Sequence, residues 1–385
     1  MPLFEQIALD SLLQNNGERK ADYVSSLYSI ADRGIIATRK ASRNMFELCW
    51  KPLEPALGDT KTIYFSPTGL LHRINLSAVP FSPDSMLADR YQLLELGNPR
   101  EILSGAANQS YSNTALLFGG IQYEMDSTAI FAANARSISA SDLATRGETP
   151  SFEVAAGSRG GTWGYLSGTE KEVQSVAGIL GADGFEVQIR KGFEATEEAF
   201  KTIGSRGPSP RILHIATHGF FFSDPRDTTK HKGGLNENEA GFKTSQNPLI
   251  RSGLLMAGSN YAWATGKPLK KSMENGILTA YEICHLDLSN TELVVLSACE
   301  TGLGDIQGNE GVYGLQRAFK IAGAKYLIMS LWQVPDKQTS LLMTTFYRKW
   351  LEEKMTIPDA FHAAQKDLRE MGFDPYQWAG FVLVE

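Results

Sequence analysis

The sequence predicts an α/β protein with a mostly parallel central sheet, preceded by an N-terminal helical segment. From Thr114 onwards, short apolar runs alternate with segments whose apolar residues recur at helical spacing. One run, Leu293–Ser297, begins with four consecutive apolar residues, which is typical of a strand buried on both faces. Strands that alternate with helices form parallel sheets with right-handed crossovers.

The composition limits the class of protein. A chain of 385 residues with 42% hydrophobic and 21% charged residues is ordinary for a globular protein. The net charge of −6 gives no reason to expect direct nucleic-acid binding. The three cysteines are widely spaced, which favours a reducing cytoplasm over a disulfide framework. No signal pattern and no membrane-length apolar run is present, so we expect a cytoplasmic protein with no membrane partner.

The first part of the chain predicts support for the main domain and no chemistry. Apolar periodicity over residues 1–57 predicts a helical connector, and Pro52 should end its last helix. Residues 58–110 predict a small β-containing subdomain. It would have a strand at 62–65, a turn at 66–69, a second strand at 70–74 and another at 91–96.

Residues 111–385 predict the main domain. We expect strands at 115–120, 185–189, 211–219, 293–297, 325–330 and 381–384, and helices at 169–180, 196–203, 312–322, 339–351 and 359–371. Residues 127–161 predict a mobile loop rich in small residues. Residues 222–246 and 259–276 predict two long loops beside the site, and we expect long loops to be disordered at rest and to become ordered on activation.

Two residues are candidates for catalysis, because each follows a strand of the predicted sheet. His218 ends the strand at 211–219, and Cys299 follows the strand at 293–297. The carboxyl ends of parallel strands form the ligand-binding edge of open α/β sheets. If the two strands are neighbours, thiol and imidazole emerge at the same edge.

This pairing predicts nucleophilic catalysis. An imidazole can accept the thiol proton, the thiolate can attack a carbonyl, and the imidazolium can protonate the leaving amine. The oxyanion needs fixed donors, and the backbone N–H groups of Gly219 and Cys299 are the candidates.

Other interpretations stay open at this point. A lone cysteine at a strand end is often a small buried hydrophobic residue, and His218 can be structural. His214 and His218 lie on one face of a strand and could share a metal, but no third ligand is evident, so we expect no metal. Glycines 308, 311 and 314 match a dinucleotide loop only loosely, and we expect no cofactor.

The sequence resembles the CHAT family of caspase-like cysteine peptidases, which is related to separases. The matching motifs are YFSPTGLLHR (64–73), ILHIATHG (212–219), SGLLMAG (252–258), LSACETG (296–302), GNEGV (308–312), LWQVPD (331–336) and WAGFVL (378–383). The resemblance covers about residues 55–385. It implies a caspase-like three-layer α/β/α sandwich, a catalytic dyad of His218 and Cys299, and endopeptidase activity.

The chain also departs from the family pattern. Members commonly follow tetratricopeptide repeats, and none is present here. Either residues 1–50 are a remnant connector, or the chain works with a separate sensor or activator protein as a partner. Separases have the pattern Trp-Asp-Val-Thr-Asp-x-Asp where this chain has WQVPDKQ (332–338), so two acidic positions are lost. Asp305, Glu310 and Asp336 remain as candidate acids of the substrate pocket.

We expect a bacterial cysteine endopeptidase that cleaves a protein partner in signalling or defence. An extended substrate would pair with the strand around residues 251–257, which places Arg251, Ser252 and Gly253 at the substrate. The alternatives are a non-catalytic interaction module of the same fold and, less favoured, a cysteine amidohydrolase of small molecules.

Overall fold

The structure is a computed structural model. It describes residues 28, 45–82, 85–104, 111–137, 162–222, 245–270, 273–297, 305–306 and 312–385. Most of the predicted N-terminal helical segment, residues 138–161 and residues 223–244 of the predicted long loop therefore lie outside the described residues.

Strands and helices alternate along the described chain. The strands are β1 (Thr62–Phe65), β2 (Pro80–Ser82), β3 (Ser85–Met86), β4 (Gln92–Glu95), β5 (Thr114–Ile121), β6 (Glu186–Gly192), β7 (Ile212–Ala216), β8 (Gly219–Phe221), β9 (Ser252–Leu255), β10 (Ile277–Thr279), β11 (Leu293–Ser297), β12 (Asp305–Ile306), β13 (Val312–Tyr313), β14 (Tyr326–Ser330) and β15 (Phe381–Val384). The α-helices are α1 (Met45–Cys49), α2 (Glu54–Leu57), α3 (Leu87–Arg90), α4 (Ser127–Ser137), α5 (Ser167–Ala182), α6 (Glu197–Lys201), α7 (Ser259–Thr265), α8 (Ala280–Ile283), α9 (Leu315–Ile321), α10 (Asp336–Leu351), α11 (Ile357–Glu370) and α12 (Pro375–Trp378).

A single large sheet organises these elements. Its eight strands lie in the order β1-β4-β15-β14-β11-β7-β5-β6. Neighbouring strands are parallel except β14 and β15, which are antiparallel. All residues of β7 and β11 are buried. The prediction of a mostly parallel sheet with a doubly buried strand at Leu293–Ser297 is confirmed.

Helices cover both faces of this sheet. His214 on β7 meets Tyr347 of α10 and Glu172 of α5. Phe118 on β5 is paired with the next residue of β7, Ile215, and its ring packs on Phe200 of α6 with centroids 5.3 Å apart. Successive strand residues point to opposite faces, so α5 and α10 lie on one face and α6 lies on the other. The three-layer α/β/α arrangement predicted for the chain is confirmed.

The N-terminal strands belong to this same sheet. β1 pairs with β4, and β4 pairs with β15 at the end of the chain. Asn75 fixes this junction, since its buried side chain donates to the carbonyl groups of Ala379 and Phe381 at 2.9 and 3.1 Å. The division of the chain at residues 58 and 111 stays a prediction.

The second strand predicted at residues 70–74 is wrong. Residues Gly69–Arg73 form a 3-10 helix, followed by another at Leu76–Ala78. The apolar side chains that face the core, Leu71 and Ile74, are three residues apart, which matches a 3-10 turn and not the alternation of a strand.

Two predicted loops contain helices. α4 lies in the predicted loop 127–161 and begins where the Asp126 carboxylate accepts a hydrogen bond from the Ala129 N–H at 3.0 Å. α7 lies in the predicted loop 259–276. Their polar and small-residue sequences obscured the helical period, because burial of a few residues such as Ile130, Ala133 and Ala262 is enough to hold such short helices. No helix among the described residues is long and apolar enough to cross a membrane.

A buried ammonium group joins α6 to the segment around β10. Lys201 Nζ lies 2.6 Å from Glu197, 2.6 Å from Glu282 and 3.0 Å from Glu274, and only 10% of its side chain is exposed. Burial alone would lower the pKa of Lys201, but the three carboxylates outweigh it and raise the pKa above its usual value. Burial also raises the pKa of Glu197. The positive charge of the ammonium group offsets the repulsion among these three carboxylates.

We predict that Lys201→Met destabilises the fold by about 3–5 kcal/mol at neutral pH, because it leaves buried carboxylates without their counter-charge. The loss should shrink as the pH falls, since Glu197 has a raised pKa in the folded state and its protonation there favours folding. Urea unfolding measures both effects. The control is Lys51→Met, whose partner Glu47 is 40% exposed and whose loss should cost less than about 1 kcal/mol. An equal effect of the two substitutions would contradict the account.

Candidate functional site

The candidate site lies where β7, β11 and β14 end. β7 and β11 are parallel neighbours, and Ser297 at the end of β11 pairs with Ala216 at the end of β7. His218 follows Ala216 by two residues. A cavity of about 60 Å³ opens beside it and is lined by Leu166, Thr169, Glu172, Thr217, His218, Ser297, Ser330, Gln333, Val334, Asp336, Thr339 and Phe381.

The His218 imidazole is held by three described groups. Its Nε2 lies 2.8 Å from the carbonyl oxygen of Gly164. A carbonyl only accepts hydrogen bonds, so Nε2 carries the proton and Nδ1 of the neutral ring has a free lone pair. The rings of Tyr123 and Trp163 pack against the imidazole with centroids 4.9 and 4.8 Å away. The structure therefore fixes both the tautomer and the orientation of the ring.

Two opposing effects set the pKa of His218. Burial lowers the pKa below its usual value and is the largest effect. The hydrogen bond to Gly164 and the negative charge of Asp336 both raise the pKa, but they do not cancel the burial. The ring is therefore neutral at pH 7 and can accept a proton at Nδ1.

Asp336 is the first residue of α10 and one of the acids that line the cavity. Its position depends on the absence of a side chain at Gly168, near the start of α5. A Cβ atom added at Gly168 would lie 2.8 Å from the Asp336 Cβ and 2.8 Å from its Oδ2. Such a contact is too short for any other residue, so Gly168 allows the two helix starts to meet at the cavity.

A buried hydrogen-bonded chain lies beneath the cavity. His214 Nε2 is 2.9 Å from Glu172 Oε1, and His214 Nδ1 is 3.2 Å from the Tyr347 hydroxyl. His214 and Tyr347 have no exposed surface. Burial and the nearby Glu172 raise the pKa of Tyr347 well above its usual value. Because both ring nitrogens of His214 are engaged, the pair of His214 and His218 considered as metal ligands is not assembled.

Several predicted site residues can be placed only in part. Cys299 and Glu310 lie outside the described residues, and the side chain of Asp305 in β12 is also outside them. Gly219 begins β8 directly after His218. Arg251 is fully buried, and its Nη1 donates to the Phe222 carbonyl at 2.9 Å.

The strand predicted to pair with substrate has no free edge. β9 is the middle strand of a small antiparallel sheet, with β10 on one side and β8 on the other. Gly253 is enclosed there, since an added Cβ atom would lie 2.4 Å from the Leu278 carbonyl oxygen. Substrate pairing with β9 is therefore wrong for this conformation, because its backbone groups already bond to its neighbours.

Sequence reasoning missed the groups that hold His218. Tyr123 and Trp163 are 95 and 55 residues before it (218 − 123 and 218 − 163), and Gly164 contributes only a backbone carbonyl. A backbone carbonyl leaves no signal in residue type. Glu172 lies near the start of the helix predicted at 169–180, and nothing in its residue type indicated that it would be buried beside the cavity.

Comparisons with known proteins identify relatives of this chain. The sequence model of the CHAT domain matches residues 39–385. Tetratricopeptide repeat protein 28 of Mus musculus is 27% identical over 224 residues, which are 58% of this chain and 9% of that protein. The Homo sapiens protein of the same name is 26% identical over 226 residues, which are 58% of this chain and 8% of that protein. The match thus spans less than a tenth of these relatives.

Solved structures with a similar chain path include two of one proteinase. The Arg specific cysteine proteinase gingipain R has a TM-score of 0.38 and 9% identity, over 85% of this chain and 77% of that one. The complex of Porphyromonas gingivalis RgpB pro- and mature domains has a TM-score of 0.34 and 9% identity, over 84% of this chain and 78% of that one.

We predict that Asp336→Asn lowers the pKa of His218, because it removes the negative charge that favours the imidazolium. NMR titration of the full chain with labelled histidine, with the His218 signal assigned by His218→Gln, measures the change. The control is Asp287→Asn, which neutralises an exposed carboxylate before β11, at the opposite end of that strand. An unchanged His218 titration in Asp336→Asn would contradict the account.

Proposed function

Since this chain belongs to the CHAT domain family, we propose that it is a cysteine endopeptidase that uses His218 and Cys299. The register of β7 and β11 carries the proposal. Ser297 pairs with Ala216, and the chain needs only two more residues from each to reach Cys299 and His218. Two residues span at most about 7 Å, and this short reach supports the proposal that thiol and imidazole share one edge of the sheet.

The first chemical step is proton transfer. Because Nε2 of His218 donates to Gly164, Nδ1 is the nitrogen that takes the proton of the Cys299 thiol. The thiolate attacks the carbonyl carbon of the scissile peptide bond, and a tetrahedral intermediate forms. Backbone N–H groups of Gly219 and Cys299 are the proposed donors to its oxyanion.

The intermediate then collapses. The imidazolium gives its Nδ1 proton to the leaving amine as the C–N bond breaks, and the acyl group stays on sulfur as a thioester. Water loses a proton to the neutral imidazole and attacks the thioester, and the thiol is restored. The half-buried His218, with its lowered pKa, supports its use as the base in both halves.

The cavity beside His218 is the proposed site for the substrate side chain that precedes the cleaved bond. Asp336 lines it, and Asp305 and Glu310 are proposed as further acids at its rim. Arg251, Ser252 and Gly253 are proposed to support substrate binding indirectly, because their strand holds β8 in place. The pairing of β8 with β9 fixes the position of Gly219, which is opposite Leu254.

A sensor or activator protein is the proposed partner. The matching relatives are named for tetratricopeptide repeats, and the matched part of this chain corresponds to less than a tenth of their length. This supports a repeat-containing protein as the proposed partner. The proposed setting is bacterial signalling or defence, and co-purification with the products of neighbouring genes tests it.

We predict that Cys299→Ala and His218→Gln each lower kcat/KM for a partner protein by at least about 10³-fold, because thiolate formation needs both groups. Mass spectrometry of the cleaved partner measures the rate. Cys284→Ala is the matched control, since its thiol donates to the Tyr281 carbonyl at 2.9 Å and lies on α8's C-terminal side, away from the cavity. Full cleavage by Cys299→Ala would refute the proposed enzyme and favour an interaction module.

We also predict that Asp336 selects the residue before the cut. A peptide library varied at that position should show a preference for side chains that carry hydrogen-bond donors, and Asp336→Asn should reduce the preference for charged donors at least about tenfold. Asp287→Asn again provides the control. The same residue preference in Asp336→Asn and the unmodified protein would remove Asp336 from the pocket.

A further inference from the structure

Every described contact to the His218 ring comes from two short segments. Tyr123 supplies one packed ring, Trp163 supplies the other, and the neighbouring Gly164 supplies the carbonyl that accepts from Nε2. The segments are about 40 residues apart in the chain (163 − 123), so something must hold them together. The side chain and backbone of Asn260 contact both.

The side chain of Asn260 forms hydrogen bonds with both the backbone N–H and the backbone carbonyl of Trp163. The Trp163 N–H donates to Asn260 Oδ1 at 2.8 Å, and Asn260 Nδ2 donates to the Trp163 carbonyl at 3.1 Å. A carboxamide supplies one donor and one acceptor in one plane, so it imitates the neighbouring backbone of a β-bridge. An aspartate has no donor here when ionised, and a leucine has neither group.

Asn260 also bonds to the segment that bears Tyr123. Its Nδ2 donates to Glu124 Oε1 at 2.8 Å, and its backbone N–H donates to the Tyr123 carbonyl at 3.0 Å. The donors and acceptors around the amide agree with a single orientation of Oδ1 and Nδ2. Asn260 is 3% exposed, so its own amide atoms are shielded from bulk water, whereas its partner Glu124 is exposed.

The position of Asn260 also connects the site to the small sheet. Asn260 is the second residue of α7, five residues after the end of β9. β9 pairs with β8, which starts at the residue after His218. Thus the strand pair that carries Gly219 and the groups that hold His218 are joined through one short helix. The Trp263 ring on this helix packs on Trp163 with centroids 5.1 Å apart.

We propose that Asn260 is a positioning residue that holds the Trp163–Gly164 peptide against His218 and so keeps the proton on Nε2 and the lone pair on Nδ1. This inference rests on the proposed function for its catalytic meaning. Its structural content, the tautomer and orientation of one imidazole, is measurable without any substrate.

The test compares Asn260→Ser and Asn260→Leu with the unmodified full chain. Serine is smaller than asparagine and leaves room for water, whereas leucine has a similar volume but forms no hydrogen bond. Two variants are used so that the test can still be made if one of them does not fold. Nitrogen-15 NMR of histidine-labelled protein reports the tautomer and titration of His218. Asn290→Ser is the matched control, because Asn290 Nδ2 also donates to a backbone carbonyl, that of Ser209 at 2.7 Å, beside the start of β11.

We expect the Asn260 variants to lose the uniform Nε2–H tautomer and to show a lower pKa for His218, since the bond to Gly164 raises that pKa. Asn290→Ser should leave both unchanged. For the active enzyme, kcat should fall about tenfold or more while KM changes less than about twofold. An unchanged tautomer and titration in a folded Asn260 variant would overturn the inference. The NMR measurement needs no peptide cleavage. A failure of this inference can therefore be distinguished from a failure of the proposed function.

Discussion

Five residue pairs join β7 to β11, from Ile212 with Leu293 to Ala216 with Ser297, and they set the relative height of the two strand ends. A shift of one position would move the segment after β11 by about 3.3 Å and reverse the faces to which its side chains point. The register is protected because both strands are buried on both faces, with β5 and β14 on their outer sides. The proposed meeting of thiol and imidazole depends on this pairing.

The second requirement is an imidazole that is both neutral and oriented. Partial burial against the rings of Tyr123 and Trp163 disfavours the imidazolium, and the Gly164 carbonyl and Asp336 partly offset this effect. This balance suits a group that must accept a proton and later release it. Beneath it, the buried chain of Glu172, His214 and Tyr347 ties α5 and α10 to β7. The cavity therefore lies between helices that are hydrogen-bonded to the strand that precedes His218.

The parts of the fold that the sequence predicted correctly are those with strong periodicity. Buried strands such as Leu293–Ser297 and the long helices α5, α10 and α11 gave clear patterns, and His218 stood out because it ends an apolar run. The 3-10 turns at Gly69–Arg73 and the helix α7 were missed because short elements depend on tertiary burial more than on local preference. The pairing of β9 on both edges could not be predicted, since strand order depends on contacts between distant segments. Gly164 and Asn260 act through a backbone carbonyl and a buried amide, which residue type alone does not mark.

In the proposed mechanism His218 controls the reactivity of the Cys299 thiol. The most direct measurement is the rate at which a thiol-directed peptide probe labels Cys299 across pH, in the unmodified protein and in His218→Gln. We expect rapid labelling near neutral pH in the unmodified protein. In His218→Gln the labelling near neutral pH should be lost, and the rate should rise only at alkaline pH, as for an ordinary free thiol. Identical rate profiles in the two proteins would contradict this mechanism.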